Sequence, residues 1–150
     1  MIVRPRRSVL YMPGSNARAL EKARTLPADG LILDLEDAVA PDAKDTARAQ
    51  VTAAVKAGGF GGREVVIRAN GLDTPWGEAD VKAAAAAGPD AVLVTKVSSP
   101  ADVERADGLL ASADPRTRLW IMMETPLAIL DARAIAAQAL RPRSRLACLV

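Results

Sequence analysis

Six short apolar runs alternate with alanine-rich stretches along the whole chain, and this repetition limits the fold more than any single residue. The runs at residues 8–12, 30–35, 64–69, 91–97, 119–123 and 145–150 read as strands. The intervening stretches at 17–26, 41–57, 75–87, 100–111 and 126–140 read as helices. Runs such as GLIL and AVLV are apolar throughout rather than on every second residue. Strands of that kind are buried on both faces, as in a parallel sheet covered by helices. Three helix starts carry the same signal, since Thr74-Pro75, Ser99-Pro100 and Thr125-Pro126 each set a hydroxyl cap before a proline. Ser99 with Asp102 also forms a variant capping box, and Gly58 and Gly88 stand where helices stop.

Repeated βα units without a break in composition mean one domain, which is either a (β/α)₈ barrel or an open doubly wound sheet. No G-x-G-x-x-G follows the first strand, and GGFGG at residues 58–62 precedes a strand, so it reads as a flexible turn. Six strands and five helices fall short of eight units, and the chain stops inside the apolar LACLV. The expectation is therefore that residues 1–150 are the N-terminal portion of a single TIM-barrel domain, interrupted within or just after strand six. Otherwise that strand would be an exposed apolar edge, which natural folds avoid.

With 20 basic and 18 acidic residues the net charge is +2, and no strong field points to nucleic acid. Arg4, Arg6 and Arg7 crowd the N-terminus and read as a solvated tail. No apolar run approaches the roughly 18 residues of a membrane helix. The sequence reads as cytoplasmic, and its single Cys148 excludes an internal disulfide. There is no histidine, so Ser-His-Asp and Cys-His machinery and the usual zinc sites are excluded. Chemistry would run on carboxylates, Lys, Arg and hydroxyls, and oxygen ligands favour a hard cation such as Mg²⁺.

In both architectures ligands bind at the carboxyl ends of the strands, and charges collect there. Strand two ends in Asp34, Glu36 and Asp37; strand three carries Arg68; strand four ends with Lys96 and strand five with Glu124. A charge in an apolar strand costs several kcal/mol unless paired or ligated, so four such strands point to a shared site. Asp34 and Glu36, two apart, project to one face, with Asp37 opposite or in the loop. The acids could alternatively cap the next helix or pair with Arg68 and Lys96 as a structural network. Arg68 offers a planar fork suited to a carboxylate, whereas a lysine at a strand end, like Lys96, is ordinary.

Taken together, SVLYMPGSNARALEKA, DGLILDLEDAVAPDAKDTAR, VIRANG, VTKV and IMMETP, in that order, resemble the citrate lyase β-subunit-like family. That family groups with the HpcH/HpaI aldolases and malyl-CoA lyases. The resemblance implies a (β/α)₈ barrel, assembled as homotrimers or hexamers, that uses Mg²⁺ to break or form a carbon–carbon bond. Its substrates would be citryl, malyl or citramalyl thioesters of CoA or an acyl carrier, which yield an acyl thioester and a keto acid. By the same resemblance, Arg68 grips the keto-acid carboxylate, Glu124 ligates Mg²⁺, and Glu36 and Asp37 hold metal-bound water. A second ligand, an Asp, would lie beyond Val150. A CoA phosphate could rest at the PGSN turn, near Arg18 and Lys22. Two further readings stand beside this one. One is an aldolase on free 4-hydroxy-2-oxo acids; the other is a non-catalytic subunit, for instance within a citrate lyase complex.

Overall fold

The computed structural model describes residues 4–150, and its elements alternate as expected. They are β1 (Val9–Pro13), α1 (Ala17–Ala23), β2 (Gly30–Asp34), α2 (Lys44–Ala57), β3 (Glu64–Ala69), α3 (Gly77–Ala87) and β4 (Ala91–Val94). There follow α4 (Pro100–Leu109), β5 (Arg118–Ile121), α5 (Pro126–Leu130), α6 (Ala132–Ala137) and β6 (Leu146–Leu149). All neighbouring strands pair in parallel, in the order β1-β2-β3-β4-β5-β6. A sheet that follows chain order is a barrel wall; a doubly wound sheet reverses its order at a switch point.

Because successive strand residues face opposite sides, this sheet has two apolar faces. The convex face carries Leu31, Leu33, Val65, Ile67, Val92, Val94, Leu119 and Ile121, packed against the helices. Small residues such as Ala47, Ala84, Ala106 and Ala128 are buried there, so the helices lie close to the sheet. The concave face holds a separate, smaller cluster of Ile32, Val66, Ala91, Leu93 and Trp120. The strands read as continuously apolar because these two cores alternate along them.

Several boundaries differ from expectation. α3 begins at Gly77, not at Pro75, because Thr74 accepts the Gly77 amide proton and caps the turn rather than the helix at Pro75. The stretch 126–140 divides at Asp131 into α5 and α6 and ends in a 3₁₀ turn, and residues 41–43 form a 3₁₀ turn ahead of α2. β4 ends at Val94 and β5 at Ile121, so Lys96 stands beyond its strand rather than within it, and Glu124 stands further past its own strand than expected. Ser99 and Asp102 do form the reciprocal capping box, and Thr125 caps α5. GGFGG is a turn with positive φ at Gly58, Gly59 and Gly61, anchored by the buried Phe60.

The N-terminal arginines are clamped instead of forming a solvated tail. Arg4 pairs with Asp90, Arg7 with Asp29, and Arg6 grips the buried Glu64 with two nitrogens at 2.6 and 2.9 Å. The Arg6 guanidinium lies over the Trp120 ring at 4.8 Å. The residues at the two edges of the sheet include exposed apolar side chains, Val9, Leu10 and Tyr11 on β1 and Leu149 on β6. No helix among the described residues is long and apolar enough to cross a membrane.

Candidate functional site

On the concave face, an apolar layer of Ile32, Val66, Leu93 and Trp120 separates two charged levels. The Arg6–Glu64 pair lies at the amino ends of the strands. At the carboxyl ends, the strand register sets Asp34 of β2 beside Arg68 of β3. Both are inward-facing, two residues beyond Ile32 and Val66 respectively.

Asp34 is 1% exposed and accepts from Arg68 Nε at 2.7 Å and Nη2 at 2.6 Å. The same carboxylate accepts the amides of Glu36 at 2.8 Å and Ala38 at 3.1 Å, which winds the chain after β2 into a tight turn. Four donors compensate this buried charge. That turn brings Glu36 back over Arg68, where Oε2 approaches Nη1 at 2.9 Å. The approach is not aligned for a hydrogen bond, and Glu36 Oε2 is buried without a hydrogen-bond partner. Burial pushes the Glu36 carboxyl above its ordinary range, against the opposing pull of Arg68. Asp37, at 3.9 Å from the guanidinium, is mostly exposed. The Arg68 guanidinium also lies over the Tyr11 ring at 4.9 Å.

Lys96 links the next two strand tips. Its ammonium is 3.4 Å from Glu36 Oε1 and 3.2 Å from Glu124 Oε1, and its own backbone N–H donates to Glu124 Oε1 at 3.0 Å. The backbone reaches that position with a left-handed φ of 57°, a conformation that costs a non-glycine residue about 1–3 kcal/mol and that clusters at functional sites. Burial acts to lower the Lys96 ammonium, but the Glu124 hydrogen bond and the charges of Glu36 and Glu124 outweigh it and raise its pKa. Behind these groups, Lys44 is buried and donates to Leu35 O, Glu36 O and Asn70 Oδ1 at 2.7–2.8 Å. Asn70 is held in turn by the buried Asp80 at 2.6 Å, and Asp80 by Arg48. A cavity of about 600 Å³ opens beside this arrangement, lined by Glu36, Asp37, Lys44, Trp76, Lys96 and Thr125 among others.

Of the residues singled out in the sequence, Asp34, Glu36, Arg68, Lys96 and Glu124 are joined in one network, with Asp37 at its rim. Arg18 and Lys22 lie exposed on α1. Of the two readings of Arg68, the buried pair is present: Asp34 takes Nε and Nη2, which leaves Nη1 facing the acids. Tyr11, Lys44, Asn70 and Asp80 were not anticipated. Tyr11 reaches the concave face through its register with Ile32, which only the fold supplies. A lysine in a first helical turn is ordinarily solvated, so nothing marked Lys44.

The donor set suits a hard cation. It consists of oxygen alone, and two carboxylates from different strand tips share one ammonium. Among the described residues no group of three metal-binding side chains is gathered closely enough to cage an ion. Mg²⁺ needs no cage, because it keeps several waters and takes one or two carboxylates plus substrate oxygens. Glu124 Oε2 has no hydrogen bond among the described residues, whereas Oε1 accepts the Lys96 backbone N–H and is the oxygen nearest the Lys96 ammonium.

The family model described as HpcH/HpaI aldolase/citrate lyase matches residues 7–149. A (3S)-malyl-CoA thioesterase of Cereibacter sphaeroides (strain KD131) is 50% identical over 133 residues, which cover 89% of this chain and 45% of that protein. Citrate lyase subunit beta of Escherichia coli (strain K12) is 36% identical over 140 residues, 89% of this chain and 46% of that one. The citrate lyase beta subunit from M. tuberculosis, solved with oxaloacetate and magnesium, superposes with a TM-score of 0.67 at 30% identity. The match covers 88% of this chain and 55% of that one. The chain thus spans about half the length of the curated relatives it matches.

Proposed function

The chain belongs to the HpcH/HpaI aldolase/citrate lyase family, and from that membership we propose that it carries the metal- and acid-binding half of a Mg²⁺-dependent carbon–carbon lyase. The substrate would be a hydroxy-acyl thioester such as malyl-, citryl- or citramalyl-CoA, cleaved to an acyl thioester and a keto acid. The observation that carries this reading is the Glu124 carboxylate, oriented through Oε1 by the Lys96 backbone N–H while Oε2 has no hydrogen bond among the described residues. Magnesium and oxaloacetate bound by the M. tuberculosis relative support the same ligand chemistry.

Bound there, Mg²⁺ would act as a Lewis acid on the oxygens of a keto or hydroxy acid. Glu124 would ligate it directly, and Glu36 and Asp37 would orient its waters. Arg68 would meet the negative charge of the keto acid through Nη1, while Asp34 and the Tyr11 ring fix the guanidinium plane in advance. The 600 Å³ cavity, lined by Glu36, Asp37 and Lys96 but not by Arg68 or Glu124, is of a size that takes part of a thioester arm beside the acid. Arg18 and Lys22 remain proposed contacts for a CoA phosphate. A second metal ligand would come from outside residues 1–150, and the protein would work as a homotrimer or hexamer in the cytoplasm.

A second reading is thioester hydrolysis, favoured by the 50% identity to a (3S)-malyl-CoA thioesterase. The products separate the two. With malyl-CoA a lyase releases glyoxylate and acetyl-CoA, whereas a thioesterase releases malate and a free CoA thiol, which a thiol reagent detects. Turnover of free 4-hydroxy-2-oxo acids but not of thioesters would select an aldolase instead. Glu124→Gln should abolish cleavage without unfolding the protein; unchanged turnover refutes the assignment of Glu124.

A further inference from the structure

Lys96 differs from the other cations of the site in being free to move. Arg68 and Lys44 are enclosed by their partners, whereas the Lys96 side chain is 43% exposed on a long flexible stem. Its ammonium nevertheless touches both Glu36 Oε1 and Glu124 Oε1. The two halves of this residue do separate jobs. The left-handed backbone fixes its N–H on Glu124, and that contact does not depend on where the side chain goes. The ammonium adds a positive charge between two carboxylates from different strand tips.

We propose that Lys96 is a tethered cation that competes with a divalent ion for the Glu36–Glu124 carboxylate pair and so sets how loosely the ion is held. This rests on the reading of Glu124 as a metal ligand. A dication on Glu124 and an ammonium on the same carboxylate repel each other, so ion binding must drive the ammonium outward. Its exposure gives it solvent to enter, and the backbone N–H keeps Glu124 oriented after it leaves. Lys96 is therefore a positioning and affinity-setting residue, not a ligand. Loose retention would let the metal and the bound acid leave together after turnover.

The test is calorimetric titration with Mn²⁺, without substrate, on protein that includes the outside segment supplying the second ligand, unmodified and as Lys96→Met, Lys96→Gln and Lys96→Arg. A thermal melt alongside shows that each variant is folded. The two neutral variants should bind Mn²⁺ on the order of tenfold more tightly, the repulsion expected between a unit charge and a dication under near-aqueous screening. Lys96→Arg, which keeps the charge, should bind as the unmodified chain does. A residue needed only for structure would weaken binding when removed. Unchanged or weaker binding by both neutral variants overturns the competition while leaving Glu124 as a ligand. Failure of every protein to bind Mn²⁺ overturns the ligand reading, and the competition with it.

Discussion

Replacing Asp34 by alanine should separate what holds the site together from what works in it. Asp34 is 1% exposed, and its carboxylate takes two guanidinium donors and two backbone amides, all at 2.6–3.1 Å. Without it, the charged partners left to Arg68 are Glu36, in an unaligned contact, and the distant Asp37, beside the Tyr11 ring and the Met122 sulfur. Breaking a buried pair by removing one partner costs about 3–5 kcal/mol. For a chain of this size that lowers the thermal midpoint by about 6–20 °C, at roughly 2–4 °C per kcal/mol. Glu124→Ala, which removes one backbone hydrogen bond and one partly exposed ion pair, should cost less than about 1 kcal/mol. Urea unfolding monitored by circular dichroism measures both. The double variant Asp34→Leu with Arg68→Met, which leaves no uncompensated guanidinium, should be closer to the unmodified chain than Asp34→Ala is. A loss below about 1 kcal/mol for Asp34→Ala would refute the reasoning, because the pair would then be worth no more than a surface ion pair.

Three other outcomes follow from the packing and charges. Gly77→Ala should destabilise by about 2–3 kcal/mol in the same unfolding assay, since a Cβ there would collide with the backbone oxygen of Gly71. Lys44→Met should cost about 1–3 kcal/mol by stranding buried acceptors, and hydrogen exchange should show faster opening of the 35–38 turn, because Lys44 holds Leu35 O and Glu36 O. Asp29 is held down to about 2 from 3.8 by the Arg7 guanidinium and by amides of Arg7 and Ser8. A depressed carboxyl adds stability above its unfolded value and loses it as pH falls toward the folded one. Thermal midpoints at low salt should accordingly fall between pH 3.8 and about 2, less steeply in Asp29→Asn, and an identical slope in the variant would exclude this pair.

The alternation of strands and helices was legible because apolar runs and proline-marked caps are local signals. The division of each run into convex and concave faces was not, since both faces are apolar and only register separates Ile32 from Leu31 and Leu33. The charged tips were legible as misfits, residues too polar for their strands. The pair at the opposite ends of the strands was not. Arg6 looked like a free tail residue, and only the sheet brings it to Glu64, 58 residues away in sequence. The break between α5 and α6 also had no strong signal, because Asp131 is tolerated within helices. The sequence left open whether Arg68 pairs with an acid or waits for a substrate carboxylate, for a related reason. Strand spacing shows that Asp34 and Arg68 are polar, but their being level across β2 and β3 depends on register, which composition does not encode.

Anomalous scattering from a crystal soaked with Mn²⁺ and oxaloacetate tests the central assignment directly. The account predicts a peak about 2.1 Å from a Glu124 carboxylate oxygen, with the Lys96 ammonium swung away and Asp34 still locked to Arg68. A fully occupied ion elsewhere, with Glu124 still closed on Lys96, would contradict it.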